Sequence, residues 1–301
     1  MEHEQLSDKR HKTNLPVTEL LRTTEDFILD CVTQSESCQI DELIRYHLES
    51  GGARVRARLA LTAGLAIGLP ERTCVALAAC CELVHNASLL HDDIQDKDTQ
   101  RRGRDAAWFK FDVNTAMCAG TLMLSASFSA LARCETNTGL LVSHLHRRTA
   151  TLIHGQVLDL AGSSSIPDDE AYVKMAASKS GSLLALPLEL VFIAGQRIDL
   201  LPTARIACES FAIAYQIADD LLDLAGDLQR GNANVVCVYQ QMGLNQKQAI
   251  EQSNSLQVKH LKLARQNALH LPAGSGALLL QLCGSIENSR PPESNKLSEC
   301  I

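Results

Sequence analysis

Three aspartates, Asp92, Asp93 and Asp96, close the apolar run in ELVHNASLLHDDIQD, and the basic pair Arg101 and Arg102 follows shortly after. On a helix, Asp92 and Asp96 lie one turn apart with Asp93 beside them, so three like charges crowd one patch. A hard divalent cation relieves that crowding. Mg2+ is usually held by one or two carboxylates and leaves its other positions to water and phosphate oxygens, and guanidinium forks match phosphate oxygens in turn. The chemistry in outline is a metal-bridged diphosphate. A solvated helix face that neutralises itself explains one such cluster equally well. Far downstream, however, YQIADDLLDLAGD places Asp219, Asp220 and Asp223 at the same spacing, again at the end of an apolar helical run. Two carboxylate clusters facing each other across a helical bundle would let metal ions bridge to one diphosphate between them.

The elements that must position these residues read as helices throughout. The chain has 301 residues, 46% hydrophobic and only 4% aromatic, a composition that favours closely packed helices over sheet. That length suffices for a large core. A net charge of -7 argues against nucleic-acid binding, which needs basic surface. Eleven cysteines without a CxxC pair suit a reducing compartment, so a cytoplasmic location is expected. The charged start, MEHEQLSDKRHKTN, has no apolar core of a secretory signal. No membrane span is expected, and Met175 to Gly195 is read as too interrupted by Lys179, Pro187 and Glu189 to form one.

The expected organisation is a flexible segment 1–14, one helical domain 15–287 and a disordered tail 288–301. Helical spacing runs from Val17 to about Cys31 and from Ile40 to Leu48, before Gly51-Gly52 and the arginines Arg54, Arg56 and Arg58. Pro70 opens a helix that reaches the first aspartates, with His85 two turns before Asp92 on the same face. A helix is expected from Phe109 to Leu131, and another ending in HGQVLDL, where Gln156 and Asp159 lie a turn apart. Ser163 to Asp169 reads as a loop, and Gly181 as a local helix break. Further helices are expected over 245–270 and 276–282.

Taken in order, GGARVRAR, HNASLLHDDIQD, RRGR, HGQVLDL, KSG and YQIADDLLDLAGD resemble the motifs of trans-isoprenyl diphosphate synthases, the family of farnesyl and geranylgeranyl diphosphate synthases. The resemblance runs from about Gly51 to about Gly231. It implies an all-α, single-domain bundle around a central cavity, and condensation of isopentenyl diphosphate with an allylic prenyl diphosphate. It also implies three Mg2+ ions on the six aspartates, and a homodimer. Arg56, His85, Arg101 and Arg102 are then diphosphate contacts. Lys179 and Ser180 match the family's KT element, and Gln216 its FQ element, giving Lys179, Gln216 and Arg101 catalytic roles. Ala87 and Ser88, small residues just before Asp92, imply a product longer than farnesyl diphosphate, geranylgeranyl diphosphate above all.

Three positions depart from the family pattern: Ala53 and Asn232 stand where lysines are usual, and Thr121 where an aspartate is. Arg54, Arg58 or Arg230 are candidates to replace the lost charges. Three readings follow: a chain-elongating prenyltransferase, a same-fold terpene synthase or irregular coupling enzyme, and a non-catalytic partner subunit.

Overall fold

The computed structural model describes residues 15–33, 38–230, 232–272 and 274–288. The expected flexible start and tail lie outside them, as does the side chain of Arg230. The chain is all-α. Its helices are α1 (Val17–Val32), α2 (Gln39–Leu48), α3 (Val55–Ala66), α4 (Glu71–Gln95), α5 (Ala107–Lys110), α6 (Val113–Leu131) and α7 (Thr138–Leu160). After these come α8 (Asp169–Ala176), α9 (Ser182–Ala194), α10 (Leu201–Leu222), α11 (Leu224–Arg230), α12 (Val235–Gln241), α13 (Gln246–Leu269) and α14 (Ala277–Asn288). A two-stranded hairpin, β1 (Gln100–Arg101) and β2 (Arg104–Asp105), follows α4.

Helix α4 is the axis of the bundle, packed by α1, α3, α6 and α9. Every residue from Thr73 to Ala87 is buried. Most of them are alanine, cysteine, leucine or valine, small enough to let neighbouring helices approach on all sides. Helix α10 packs on α9 and α13. Under its C-terminal end, Tyr172, Ile217, Val235, Val238 and Tyr239 form a second apolar cluster.

Local chemistry corrects several expected boundaries. The helix expected over 109–131 is broken at Phe111 and Asp112, because the Asp112 carboxylate accepts the Thr115 N–H at 2.9 Å and starts α6 afresh. The 163–169 loop contains a 3-10 turn at Ser163–Ser165, and Asp168 caps α8 by accepting the Ala171 N–H at 2.8 Å. Gly181 breaks nothing. The backbone passes through a single π-helical turn, Ala177–Gly181, and stays helical from α8 into α9.

That continuity makes Asp169–Ala194, like Glu71–Gln95, long and apolar enough to cross a membrane by length and composition, contrary to the reading of this stretch as too interrupted. In the fold, 78% and 89% of their apolar windows are buried against protein, as core helices require. Glu189 is tolerated there because it is fully buried among Arg148, Arg205 and His144. The described cysteines are all free thiols.

Candidate active site

Both aspartate motifs close a helix in the same way. Asp92 and Asp93 occupy the last turn of α4, and Asp96 caps it with its N–H on the Asp92 carbonyl at 2.8 Å. Asp219 and Asp220 end α10, and the Asp223 N–H meets the Asp219 carbonyl at 2.9 Å. A helix C-terminus carries partial negative charge, so acidic side chains there are unfavourable until a cation arrives. Burial comes first in raising the pKa of Asp93, Asp96 and Asp219. It pushes Asp92 up to about 6 against the pull of Lys179.

Within each motif the three carboxylates differ. Asp93 is 1% exposed and accepts from Arg101 Nε at 2.9 Å. Asp220 is 2% exposed and accepts from the Tyr172 hydroxyl at 2.7 Å, the Val235 N–H at 2.7 Å and Gln216 Nε2 at 2.9 Å. Burial still pushes it up to about 7. Asn234, fully buried, donates to the Asp220 carbonyl and to Asp227, both at 2.8 Å. Asp92 is only half-buried, and Asp96, Asp219 and Asp223 are exposed. Among the described residues, no three acidic, histidine or cysteine side chains converge into a closed metal site.

Lys179 faces the first motif. The π turn carries it against α7, where its ammonium pairs with Asp159. Burial alone would lower its pKa, but Asp159 and then Asp92 and Asp96 hold it above the usual lysine value. Asp159 acts in turn on Tyr172, the partner of Asp220. Gly155 on α7 makes this approach feasible: a Cβ there would collide with the Lys179 backbone. Ser180 donates to Gln216 at 3.4 Å, and Gln216 to Asp220, so the two polar residues expected at the site are wired to the second motif. Gln156 is buried and donates to Gln95 Oε1 at 3.1 Å.

The basic residues gather around the glycine turn. RRGR forms a two-residue hairpin, Arg101 opposite Arg104, with Arg102 and Gly103 at φ 52° and 72°. Positive φ at both positions is the geometry that matches strand twist, and it is strained for arginine. The Arg102 guanidinium lies over Gly52, where a Cβ would sit 2.7 Å from Cζ, and bonds the Gly51 carbonyl. Arg56 is buried, and burial first lowers its pKa to about 10. His85 is buried beside Arg56 and Arg102, with no hydrogen-bond partner on either ring nitrogen; burial and then these arginines keep it neutral. Arg54 does not replace the missing lysine. It is turned to Glu25 at 3.0 Å and to the Leu48 and Gly51 carbonyls. A cavity of about 330 Å³ lies behind this turn, lined by Ile28, Arg45, Leu48 and Asn86, and none of the aspartates borders it.

Two departures from the family pattern differ in place, Thr121 away from the aspartates and Asn232 beside Asp227. Thr121 is exposed and bonds its own helix at the Met117 carbonyl, 2.9 Å away. The Asn232 N–H donates to the Asp227 carbonyl at 3.1 Å. Tyr172 and Asn234 were not legible as site residues, although an asparagine before a β-branched run is an N-cap signal, and Asn234 does cap α12.

These pKa directions give a stability profile. Carboxylates raised in the fold bind protons before the unfolded chain does, so metal-free stability increases as pH falls from about 7.5 toward 6. Below the unfolded histidine pKa a second effect opposes the first, because His85 and His47, the latter lowered to about 3 by burial and then Arg101, stay neutral in the fold. The two effects oppose each other, so the clean readout is the gain in melting temperature on adding Mg2+, which is expected to grow from about pH 6 to 7.5 because Mg2+ favours ionised aspartates. A gain from Mg2+ that stays constant over this range would contradict the raised pKa of Asp92.

Comparison with known proteins agrees with this architecture. Residues 37–236 match the polyprenyl synthetase family. A (2E,6E)-farnesyl diphosphate synthase of Mycobacterium tuberculosis is 30% identical over 73% of this chain and 65% of its own length. A short chain isoprenyl diphosphate synthase of Methanocaldococcus jannaschii is 30% identical over 62% of this chain and 58% of its own. The matches thus span about three-fifths of those relatives. Among solved structures, a geranylgeranyl pyrophosphate synthetase from Pyrococcus horikoshii superposes with a TM-score of 0.83 at 23% identity, covering 91% of this chain and 97% of that one. A Caulobacter crescentus polyprenyl synthase complexed with calcium and isoprenyl diphosphate gives 0.77 at 20% identity, with 91% and 98% covered. With a matched family profile over most of the helical bundle and both aspartate motifs at its helix ends, the chain belongs to the polyprenyl synthetase family.

Proposed function

We propose that residues 15–287 form one isoprenoid-synthase domain that condenses isopentenyl diphosphate with an allylic prenyl diphosphate. The observation that carries this reading is the pair of acidic helix C-termini served by one helical turn, with Lys179 acting on the first and Ser180, through Gln216, reaching the second. The donor set fits Mg2+: hard carboxylate oxygens, crowded at negative helix ends, with Asp93 Oδ2 buried and unpartnered. Asp92 and Asp96 on one wall and Asp219 and Asp223 on the other would hold the ions, three by family resemblance, with Asp93 and Asp220 at their backs. When bound, Mg2+ neutralises the diphosphate leaving group of the allylic substrate.

The protein's own groups do the rest. Arg101 and Lys179 add positive charge at the allylic diphosphate, in a site where burial strengthens each contact. Gln216 and Ser180 hold polar groups near the reacting carbon. Arg56, Arg102 and neutral His85 grip the second diphosphate, with His85 as a hydrogen-bond donor. Family resemblance supports a homodimer, and the free thiols of the described cysteines support a cytoplasmic location. Val113 and Met117 on α6, and Ile153, Val157 and Leu160 on α7, expose apolar surface that a second copy would cover. Light scattering of the purified chain tests it, and a monomer at micromolar concentration rules it out.

Geranylgeranyl diphosphate is the product we propose. Ala87, 3% exposed, and half-buried Ser88 are small, and Val84, Cys81 and Cys80 continue the same helix inward. The test is purified protein with Mg2+, isopentenyl diphosphate and each allylic diphosphate in turn, with products identified by mass spectrometry. Ala87→Phe is expected to shorten the product to fifteen carbons or fewer, because a ring cannot share that space with an isoprene unit. Unchanged length would remove this view of the tail's path.

Ala53 favours a second reading, an enzyme that ionises a prenyl diphosphate without a partner substrate, since Arg54 does not restore the lost charge. Ala53→Lys separates the two. A chain elongator gains a phosphate contact, and its KM for isopentenyl diphosphate drops by roughly tenfold. Products formed without isopentenyl diphosphate would select the second reading.

A further inference from the structure

One aromatic ring ties together the two basic loops of the second diphosphate site. Tyr46 lies in α2, five residues before Gly51. Its hydroxyl donates to the Asp105 carbonyl, in the closing strand of the arginine hairpin, at 2.8 Å. The Arg104 guanidinium stands 4.3 Å and the Lys110 ammonium 3.9 Å from its ring centroid. Phe111 meets the ring edge-on at 5.7 Å. A ring face attracts cations through its quadrupole, and among the described residues neither Arg104 nor Lys110 makes an ion pair. The ring is their anchor.

The hairpin needs one. Arg102 holds a left-handed backbone that a non-glycine residue keeps only when its surroundings enforce it. Its neighbour Arg101 is secured separately, by Asp93 from α4. Arg102 faces α2 and the glycine turn, and among the described residues its guanidinium bonds Ser50 and the Gly51 carbonyl. Whatever fixes β2 and Arg104 against α2 therefore fixes Arg102 over Gly52.

We propose that Tyr46 is the positioning residue of the arginine hairpin: by clamping Arg104, Lys110 and the Asp105 backbone to α2, it sets Arg102 and so the affinity for the diphosphate of isopentenyl diphosphate. This rests on the function proposed above. Because Arg101 has its own anchor, the clamp acts on one substrate and spares the other.

The test is Tyr46→Leu and Tyr46→Phe in the full chain, with each substrate varied at saturation of the other. In Tyr46→Leu the KM for isopentenyl diphosphate is expected to rise about tenfold, while kcat and the allylic KM stay within about twofold. Tyr46→Phe keeps the ring face and should recover most of the loss. Calorimetric titration with isopentenyl diphosphate alone gives the same ratio without turnover, so an inactive wild type that still binds it defeats the prenyltransferase reading and leaves the clamp measurable. Equal losses for both substrates, a fall in kcat that tracks a lowered melting temperature, or no change in isopentenyl diphosphate affinity overturns the clamp.

Discussion

Asp219→Asn is expected to lower kcat by about a hundred- to a thousandfold, the scale lost when one charge-stabilising group is removed from a preorganised site, while the metal-free protein melts no lower than wild type. Asp219 stands partly exposed at the end of α10, and its partial burial, then Asp227 and Asp223, raise its pKa. Removing its charge relieves repulsion in the absence of metal and deletes a ligand in its presence. Asp220→Ala makes the contrast. It strands the Tyr172 hydroxyl, the Val235 N–H and Gln216 in a buried setting, which costs about 2 to 4 kcal/mol at the usual penalty for unsatisfied groups. Kinetics at saturating Mg2+ and thermal melts of both variants check the division. Near-wild-type turnover in Asp219→Asn would sink the two-cluster site.

Glu189→Ala carries the largest expected stability loss. Its carboxylate, wholly buried, takes His144 at 2.8 Å and Arg205 at 2.9 Å, and Arg148 Nε lies 2.8 Å from it as a charge contact. Arg148 also reaches Glu209 at 2.9 Å. Burial alone would raise the Glu189 pKa, but His144, Arg148 and Arg205 hold it below the usual carboxylate value. Removing it takes from buried Arg148 one of its two carboxylates and strands the buried His144 ring nitrogen, at about 3 to 5 kcal/mol. Arg205 is nearly half exposed and screened by solvent, so His144 and Arg148 dominate. The knot joins α7, α9 and α10, which carry Asp159, lead out of the Lys179 turn and carry Asp219. Denaturant unfolding of Glu189→Ala and of the milder Glu189→Gln measures it, and a loss under about 1 kcal/mol in both, the exposed-pair scale, would show that the charges are not what holds these helices.

Much of this protein was legible in its sequence because helices are written locally. The 3.6-residue spacing of apolar residues announced α1, α2 and α10, and Pro70 marked the start of α4. The motif spacing put Asp92 and Asp96, then Asp219 and Asp223, on helix ends. The same local logic missed the break at Asp112, whose capping bond to Thr115 outweighed an apolar pattern that continued across it. It also missed the π turn, since nothing in KSG distinguishes one extra residue in a helical turn from a break.

What only the tertiary structure decided is the division of labour among like residues. The six aspartates look equivalent in sequence. Asp220 became a buried hub because Tyr172, 48 residues earlier, and Val235 meet it across the second apolar cluster. Arg54 and Arg56 differ likewise: one is spent on Glu25 and two carbonyls, the other is buried under the hairpin. The physical reason is that charge and hydrogen bonding depend on distance in space and on burial. Neither is carried by the spacing of residues along the chain.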